Sequence, residues 1–314
     1  MTRKTGTGKY ERVLARCKSL APVPTSVAYP CEESALAGAV EAGQKGLTQP
    51  ILVGPVAKIQ EIARKSRIDL DGAQLVDAPD SHAAASRAVE LVRQGKAELL
   101  MKGSLHTDEL LAAVVARETG LRTGRRISHV FIMDVPTYHK VLIVTDAAIN
   151  IAPTLEDKVD ICQNAIDLVV SLRDTPPKVA ILAAVETVNS KMQATLDAAA
   201  LCKMAERGQI TGGILDGPLA FDNAISKEAA RTKKIDSEVA GDPDILLVPD
   251  LEAGNMLAKQ LSFLADADSA GLVLGARVPI ILTSRADSVR SRIASCAVAV
   301  LAAHARRHQR PRVG

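Results

Sequence analysis

The sequence predicts an α/β fold with mostly parallel sheets, on three observations. Short apolar runs rich in Val, Ile and Leu alternate with longer segments of helical period. Glycine, proline and small polar residues punctuate the runs. The 314 residues are 47% hydrophobic and 24% charged, which is the balance of a folded chain with one large or two medium domains rather than a disordered one.

The elements follow in order. Residues 51–53 form a buried strand stopped by Gly54-Pro55, and 56–65 continue as a helix. Residues 74–76 are a strand, and Ser81 caps a helix running to 94. Residues 98–101 are a strand, after which Lys102-Gly103-Ser104 turns into a helix starting near Thr107. Strands at 130–135 and 141–145 are joined across Pro136-Thr137-Tyr138-His139. Leu155, Val159, Cys162, Ile166 and Val169-Val170 recur at a helical period over 155–172. A strand at 179–183 precedes a helix at 196–207 ended by Gly208. Strands at 210–215, 245–248, 271–274 and 280–283 have helices between them. The last helix, from about Ser288, is Ala-rich on most faces and should pack deep. No internal repeat or low-complexity linker is visible, so a second domain is expected as an insertion joined by short hinges.

The formal net charge of +3 hides an uneven distribution. The first 18 residues and the last nine hold ten of the 39 bases and one of the 36 acids, which leaves the body at a net −6. The basic ends read as solvated termini and a helix C-terminal turn. Aromatic residues are 2% with no Trp, so the stacking platforms of nucleic-acid modules are almost absent. Cys17, Cys31, Cys162, Cys202 and Cys296 are odd in number and widely spaced, without C-x-x-C, which argues for a reducing compartment and against a disulfide frame or zinc site. No signal peptide or 18-residue apolar run is seen, so the expectation is a cytoplasmic protein with no membrane and no nucleic-acid partner.

In open α/β sheets ligands bind beyond the carboxyl ends of strands, which selects four loops: 102–107, 134–140, 216–223 and 283–287. In the last, a buried strand delivers Thr283, Ser284 and Arg285 to the entrance of a long helix. Helix-start N–H groups attract anions, and Arg adds a planar fork for phosphate or carboxylate. The bland alternative ends a strand at Thr283, caps the helix with Asp287 and leaves Arg285 in a surface ion pair. The 102–107 loop repeats the design: Lys102 ends a strand, Gly103 permits close backbone approach, and a helix start follows. It is not a Walker A loop, and no G-x-G-x-x-G occurs. Asp216-Gly217-Pro218 with Asp222 reads as turn chemistry, and His304 with His308 as polar residues on the last turn of a helix. No cysteine lies on a strand-end loop beside a His, and no G-x-S-x-G elbow exists, so neither an acyl-cysteine nor a serine triad is supported.

Together these loops resemble the phosphate acetyltransferase/phosphate butyryltransferase family. The matching segments are 101–104 (MKGS), 128–136 (SHVFIMDVP), 144–153 (VTDAAINIAP), 215–218 (LDGP), 250–255 (DLEAGN) and 282–288 (LTSRADS), over roughly residues 10 to 305. The likeness is nearest to the transferase half of bifunctional enoyl-CoA hydratase/phosphate acetyltransferases, with no hydratase domain expected here. It implies a two-domain fold like that of isocitrate and isopropylmalate dehydrogenases, with mostly parallel three-layer sheets. Domain I would be 1–145 with 275–314, domain II the inserted 146–274, and the active site would lie in the cleft between them. The implied reaction is acyl-CoA + phosphate = CoA + acyl phosphate, by direct attack in a ternary complex, in a homodimer, with CoA as substrate and no metal or organic cofactor.

Carried onto this sequence, Ser284, Arg285 and Asp287 would be catalytic. Lys102, Gly103, Ser104, Thr107, Asn255 and Thr283 would bind substrate, with backbone N–H groups around Gly103-Ser104 holding phosphate. The sequence departs from acetyl-specific members in two places. Ser291 stands where they have an aspartate proposed to take the thiol proton, and Leu110-Leu111 stand where they have an arginine. Both departures lean toward a butyryl-type or broader acyl pocket. The alternatives are a non-catalytic CoA- or phosphate-binding protein and an NAD-dependent dehydrogenase on the same fold.

Overall fold

The computed structural model describes residues 8–173, 175–283 and 287–308; Ser284 and Arg285 lie outside the described residues. The chain opens with α1 (Lys9–Cys17), β1 (Val23–Ala28), α2 (Glu33–Gln44), β2 (Thr48–Gly54), α3 (Val56–Ser66), β3 (Gln74–Asp77), α4 (Ser81–Arg93), β4 (Leu99–Lys102) and α5 (Thr107–Val115). It continues with β5 (Ser128–Asp134), β6 (Leu142–Thr145), α6 (Leu155–Leu172), β7 (Lys178–Leu182), α7 (Gln193–Glu206), β8 (Ile214–Leu219), α8 (Phe221–Ile225), α9 (Lys227–Thr232), β9 (Ile245–Leu247) and α10 (Leu251–Leu264). It closes with β10 (Asp268–Leu274), β11 (Ile280–Ile281) and α11 (Val289–His308).

The chain forms two compact units. A discontinuous unit comprises Tyr10–Arg125 and Ala270–Gly314, and an inserted unit comprises Arg126–Ser269 with Met1–Lys9. The breaks fall near 125 and 269, rather than the expected 145 and 274. Residues 126–145 join the insertion because β5 pairs antiparallel with β6 and α6 binds the start of the segment. Asn164 Nδ2 donates to Arg126 O and Ser128 Oγ, both at 2.9 Å, and the Arg126 N–H donates to Asp160 at 2.8 Å.

In the discontinuous unit the strand order is β3-β2-β1-β4-β11-β10. The first five strands run parallel and β10 runs antiparallel to β11. All four residues of β4 are buried, as are both of β11, which is why these strands read as unbroken apolar runs: helices cover both faces. Strand β1, with its Pro-Thr-Ser interior, gave no apolar run, and the sequence reading missed it. Asp80, not Ser81, caps α4, accepting from the Ala83 N–H at 2.8 Å. The Ala-rich α11 does pack deep: Cys296 through Ala303 are all buried.

In the inserted unit the order is β5-β6-β9-β7-β8, parallel from β6 onward. β8 begins four residues later than the apolar pattern suggested, because Gly212 turns the chain at φ +82°. Asp216-Gly217-Pro218 therefore lies inside a strand, not a turn. It is an edge strand, where a proline costs no ladder hydrogen bond to an outer neighbour. Lys9, expected to be solvated, is buried: Nζ donates to Val135 O at 3.2 Å and Tyr138 O at 2.7 Å, and pairs with Asp134 at 2.9 Å. Among the described residues no helix is long and apolar enough to cross a membrane.

Candidate active site

The strand order of the discontinuous unit reverses direction between β1 and β4, the position at which open α/β sheets leave a ligand crevice. Parallel register aligns Ala28 with Lys102 and Met101 with Ile281, so the loops after β1, β4 and β11 leave the same edge side by side. Lys102 ends β4 at 4% exposure, and Thr283 follows β11 at 3% exposure. A buried ammonium at a strand end is expensive unless the fold answers it, and Lys102 is engaged within the fold. Lys102 and Thr283 are thus on neighbouring strand ends, as the sequence required. Thr107 is the first residue of α5, whose N-cap residue His106 makes no side-chain capping bond.

One expectation is overturned. The Gly103 N–H donates to Ala28 O and the Ser104 N–H to Tyr29 O, both at 2.9 Å. These two groups stitch the β4 loop to the β1 loop and are not turned to a phosphate. The Ser104 hydroxyl adds to the stitch, donating to Tyr29 O at 2.8 Å and accepting from the Cys31 N–H at 3.0 Å. Gly103 is needed for this approach: a Cβ there would lie 2.4 Å from Ala28 O and 2.5 Å from Tyr29 O. What this arrangement leaves for an anion is the first turn of α5, where helices leave N–H groups open.

Ser288, not Asp287, caps α11: its Oγ accepts from the Ser291 N–H at 3.1 Å and contacts the Ser291 hydroxyl at 3.1 Å. Ser291, standing where a base was expected, is therefore part of a helix cap. Asp287 is half-buried. The sequence reading passed over Arg292, 2% exposed, which donates from Nη1 to Thr283 Oγ1 at 2.9 Å. Only the run of Ala, Ile and Cys that follows signalled that its face of α11 turns inward.

Asn255 belongs to the inserted unit, on α10, where its Nδ2 donates to Ala147 O at 3.1 Å. Nearby Asp146 organises the 146–150 turn, accepting from the N–H groups of Ala148 and Ile149 at 2.9 and 3.1 Å and from Asn150 Nδ2 at 2.6 Å. The 134–140 loop is tied down structurally. Tyr138 OH donates to Pro243 O at 2.7 Å, and Lys140 reaches Asp242 and Asp244 at 3.0 Å. Burial pushes the Cys162, Cys202 and Cys296 thiols up to about 12 and those of Cys17 and Cys31 up to about 11, all poor nucleophiles at neutral pH. Among the described residues no cluster of three or more His, Cys, Asp or Glu could hold a metal ion. His304 Nε2 lies 2.8 Å from Ala21 O, a structural contact of the last helix.

A parallel-stranded α/β unit that gathers a buried lysine, a buried threonine and a helix start at one strand edge has the plan of enzymes that bind their ligands beyond the strand ends. The model of the Phosphate acetyl/butaryl transferase family matches residues 81–300, and the chain belongs to that family. It is 65% identical over 299 residues to a phosphate acetyltransferase of Rhizobium meliloti, covering 95% of each chain. It is 30% identical, at TM-score 0.78, to a branched-chain phosphotransacylase from Enterococcus faecalis V583, covering 90% of this chain and 99% of that one. A 4-hydroxythreonine-4-phosphate dehydrogenase from Burkholderia phymatum shares the fold at TM-score 0.56 and 13% identity, covering 90% of this chain and 99% of that one. The chain is a phosphate acyltransferase on a dehydrogenase-like fold.

Proposed function

We propose that the chain transfers an acetyl group between coenzyme A and inorganic phosphate. Butyryl transfer is the second reading, favoured by Leu110-Leu111 on α5. The parallel alignment of β4 and β11, which brings Lys102 and Thr283 to adjacent strand ends, is the observation that carries it.

In the forward direction a phosphate oxygen attacks the thioester carbonyl carbon. The tetrahedral intermediate collapses, the C–S bond breaks, and the proton of hydrogen phosphate passes to the departing thiolate. In reverse, the CoA thiol loses that proton and attacks acyl phosphate. Lys102, the α5 start and Arg285 hold the phosphoryl charge. Ser284 donates to the oxyanion or the sulfur. Asp287 is the carboxylate that accepts and returns the thiol proton. Thr107, Asn255 and Thr283 orient the substrates, and Gly103 and Ser104 serve by holding the loop. The raised cysteine values support direct transfer over an acyl-cysteine, and no metal or organic cofactor is required by this chemistry. Five unpaired thiols support a cytoplasmic setting, and the exposed Met256, Phe263 and Leu264 of α10 support a homodimer.

The test is CoA release from acetyl-, propionyl- and butyryl-CoA with and without phosphate. Phosphate-dependent release, fastest with acetyl-CoA and reduced about a hundredfold or more in Ser284→Ala and Arg285→Ala, is expected. Equal rates without phosphate would replace this reading with a thioesterase.

A further inference from the structure

Arg292 lies one residue beyond Ser291 on α11, and its guanidinium is almost wholly out of water. Its Nη1 donates to Thr283 Oγ1 at 2.9 Å. Its charge also interacts with Asp287, at the other end of the 283–287 segment. α2 fixes it from behind: a Cβ on Gly38 would lie 2.7 Å from Arg292 Cδ and 3.4 Å from its Cβ. The neighbours along α11, Ile293 and Cys296, are buried and apolar. An apolar side chain of similar volume would pack in such a place at least as stably as a buried charge does. The charge is therefore explained by what it holds rather than by what it adds to the core.

We propose that Arg292 is a positioning residue for acyl transfer: it holds Thr283, where the chain leaves β11 for the 283–287 segment, without touching substrate. The inference rests on the reading of that segment as the catalytic loop. Glutamine at 292 keeps a polar group but removes the charge and the reach of the fork. Lysine keeps the charge and one donor. Alanine at 38 leaves Arg292 in the sequence and displaces its stem.

The experiment measures melting temperature, kcat and the KM for acyl-CoA and phosphate in Arg292→Gln, Arg292→Lys, Gly38→Ala, Thr283→Val and the Arg292→Gln/Thr283→Val double variant, well below every melting point. Arg292→Gln should lower kcat roughly ten- to a hundredfold, the worth of one charge-assisted hydrogen bond. The KM for acyl-CoA should stay within about twofold, because the loss falls on alignment rather than on uniform binding. Arg292→Lys should recover part of the loss. The double variant should lose less than the product of the two single losses, since both changes cut the same link. A folded Arg292→Gln enzyme with the wild-type kcat overturns the proposal, and so does simple additivity in the double variant. If Arg292→Gln does not fold, Gly38→Ala decides: it must lower kcat, and a wild-type value overturns the proposal. Full rates in Ser284→Ala and Arg285→Ala would instead bring down the loop reading. Loss in those two with full rate in Arg292→Gln removes only the role of Arg292.

Discussion

Replacing Gly103 with alanine puts the largest strain on the smallest change in the candidate site. The added Cβ would sit 2.4 Å from Ala28 O, 2.5 Å from Tyr29 O and 2.6 Å from Tyr29 C, roughly 1 Å inside ordinary non-bonded distances. All three atoms are backbone, and β1 is held on both sides by parallel ladders, so the β4 loop must move instead. Overpacking of this kind costs about 1–3 kcal/mol. Loosening the Gly103–Ala28 and Ser104–Tyr29 hydrogen bonds adds about 1 kcal/mol. At 2–4 °C per kcal/mol, a total near 3 kcal/mol lowers the melting temperature by roughly 6–12 °C. A shift of about 1 Å in the loop between Lys102 and α5 should lower kcat/KM for phosphate about a hundredfold. Differential scanning fluorimetry and phosphate-dependent CoA release give the two numbers. Gly95→Asn is the control, because Gly95 faces open space, lies away from the loop, and has a positive φ (+71°) that asparagine tolerates. A Gly103→Ala enzyme that melts within about 2 °C of wild type and keeps its phosphate kinetics would refute the close-approach argument.

Two further outcomes are expected. Burial raises the Asp242 carboxyl, but hydrogen bonds from Lys178, Lys140 and His139 outweigh it and hold the group well below its ordinary range. A depressed carboxylate stabilises the fold above its unfolded value near 3.9 and loses that contribution as pH falls through the folded value. Asp242→Asn should therefore lower the melting temperature at pH 7 and flatten its fall below about pH 4, and an unchanged acid limb would contradict the assignment. Because burial raises all five thiols, native protein should react slowly with a thiol reagent at pH 7.5 and expose five reactive groups in denaturant. Rapid stoichiometric labelling with loss of activity would reopen a cysteine route.

Strands buried on both faces were legible in the sequence because nothing but apolar residues suits them. β4, β7 and β9 fall within a residue or two of where the Val, Ile and Leu runs lie. α6 matches its predicted span, since its period and its Thr154 capping box are both local signals. β1 was hidden because Thr25 and Ser26 lie inside it, and its loss concealed the loop at Tyr29 that faces Gly103. β8 was misplaced because Gly217-Pro218 mimics a turn, and only its edge position shows otherwise. Lys102 and Thr283 were found by the strand-end rule, but whether an N–H faces a ligand or a neighbouring loop is a tertiary fact. So is the burial of Arg292, whose partner Thr283 is nine residues away across a helix start.

The order of β11 in the discontinuous unit has a consequence for synthesis. It lies between β4 and β10, yet it is made after nearly nine-tenths of the chain has emerged. The inserted unit is almost entirely contiguous and can close while the ribosome is still at work. β4 meanwhile waits with one edge unpaired, and Lys102 waits without the strand end that brings Thr283 beside it. A nascent chain released before β11 keeps a finished insertion beside an open sheet edge, the kind of surface that pairs with other chains. Early termination should yield aggregation-prone, inactive protein rather than a weak enzyme.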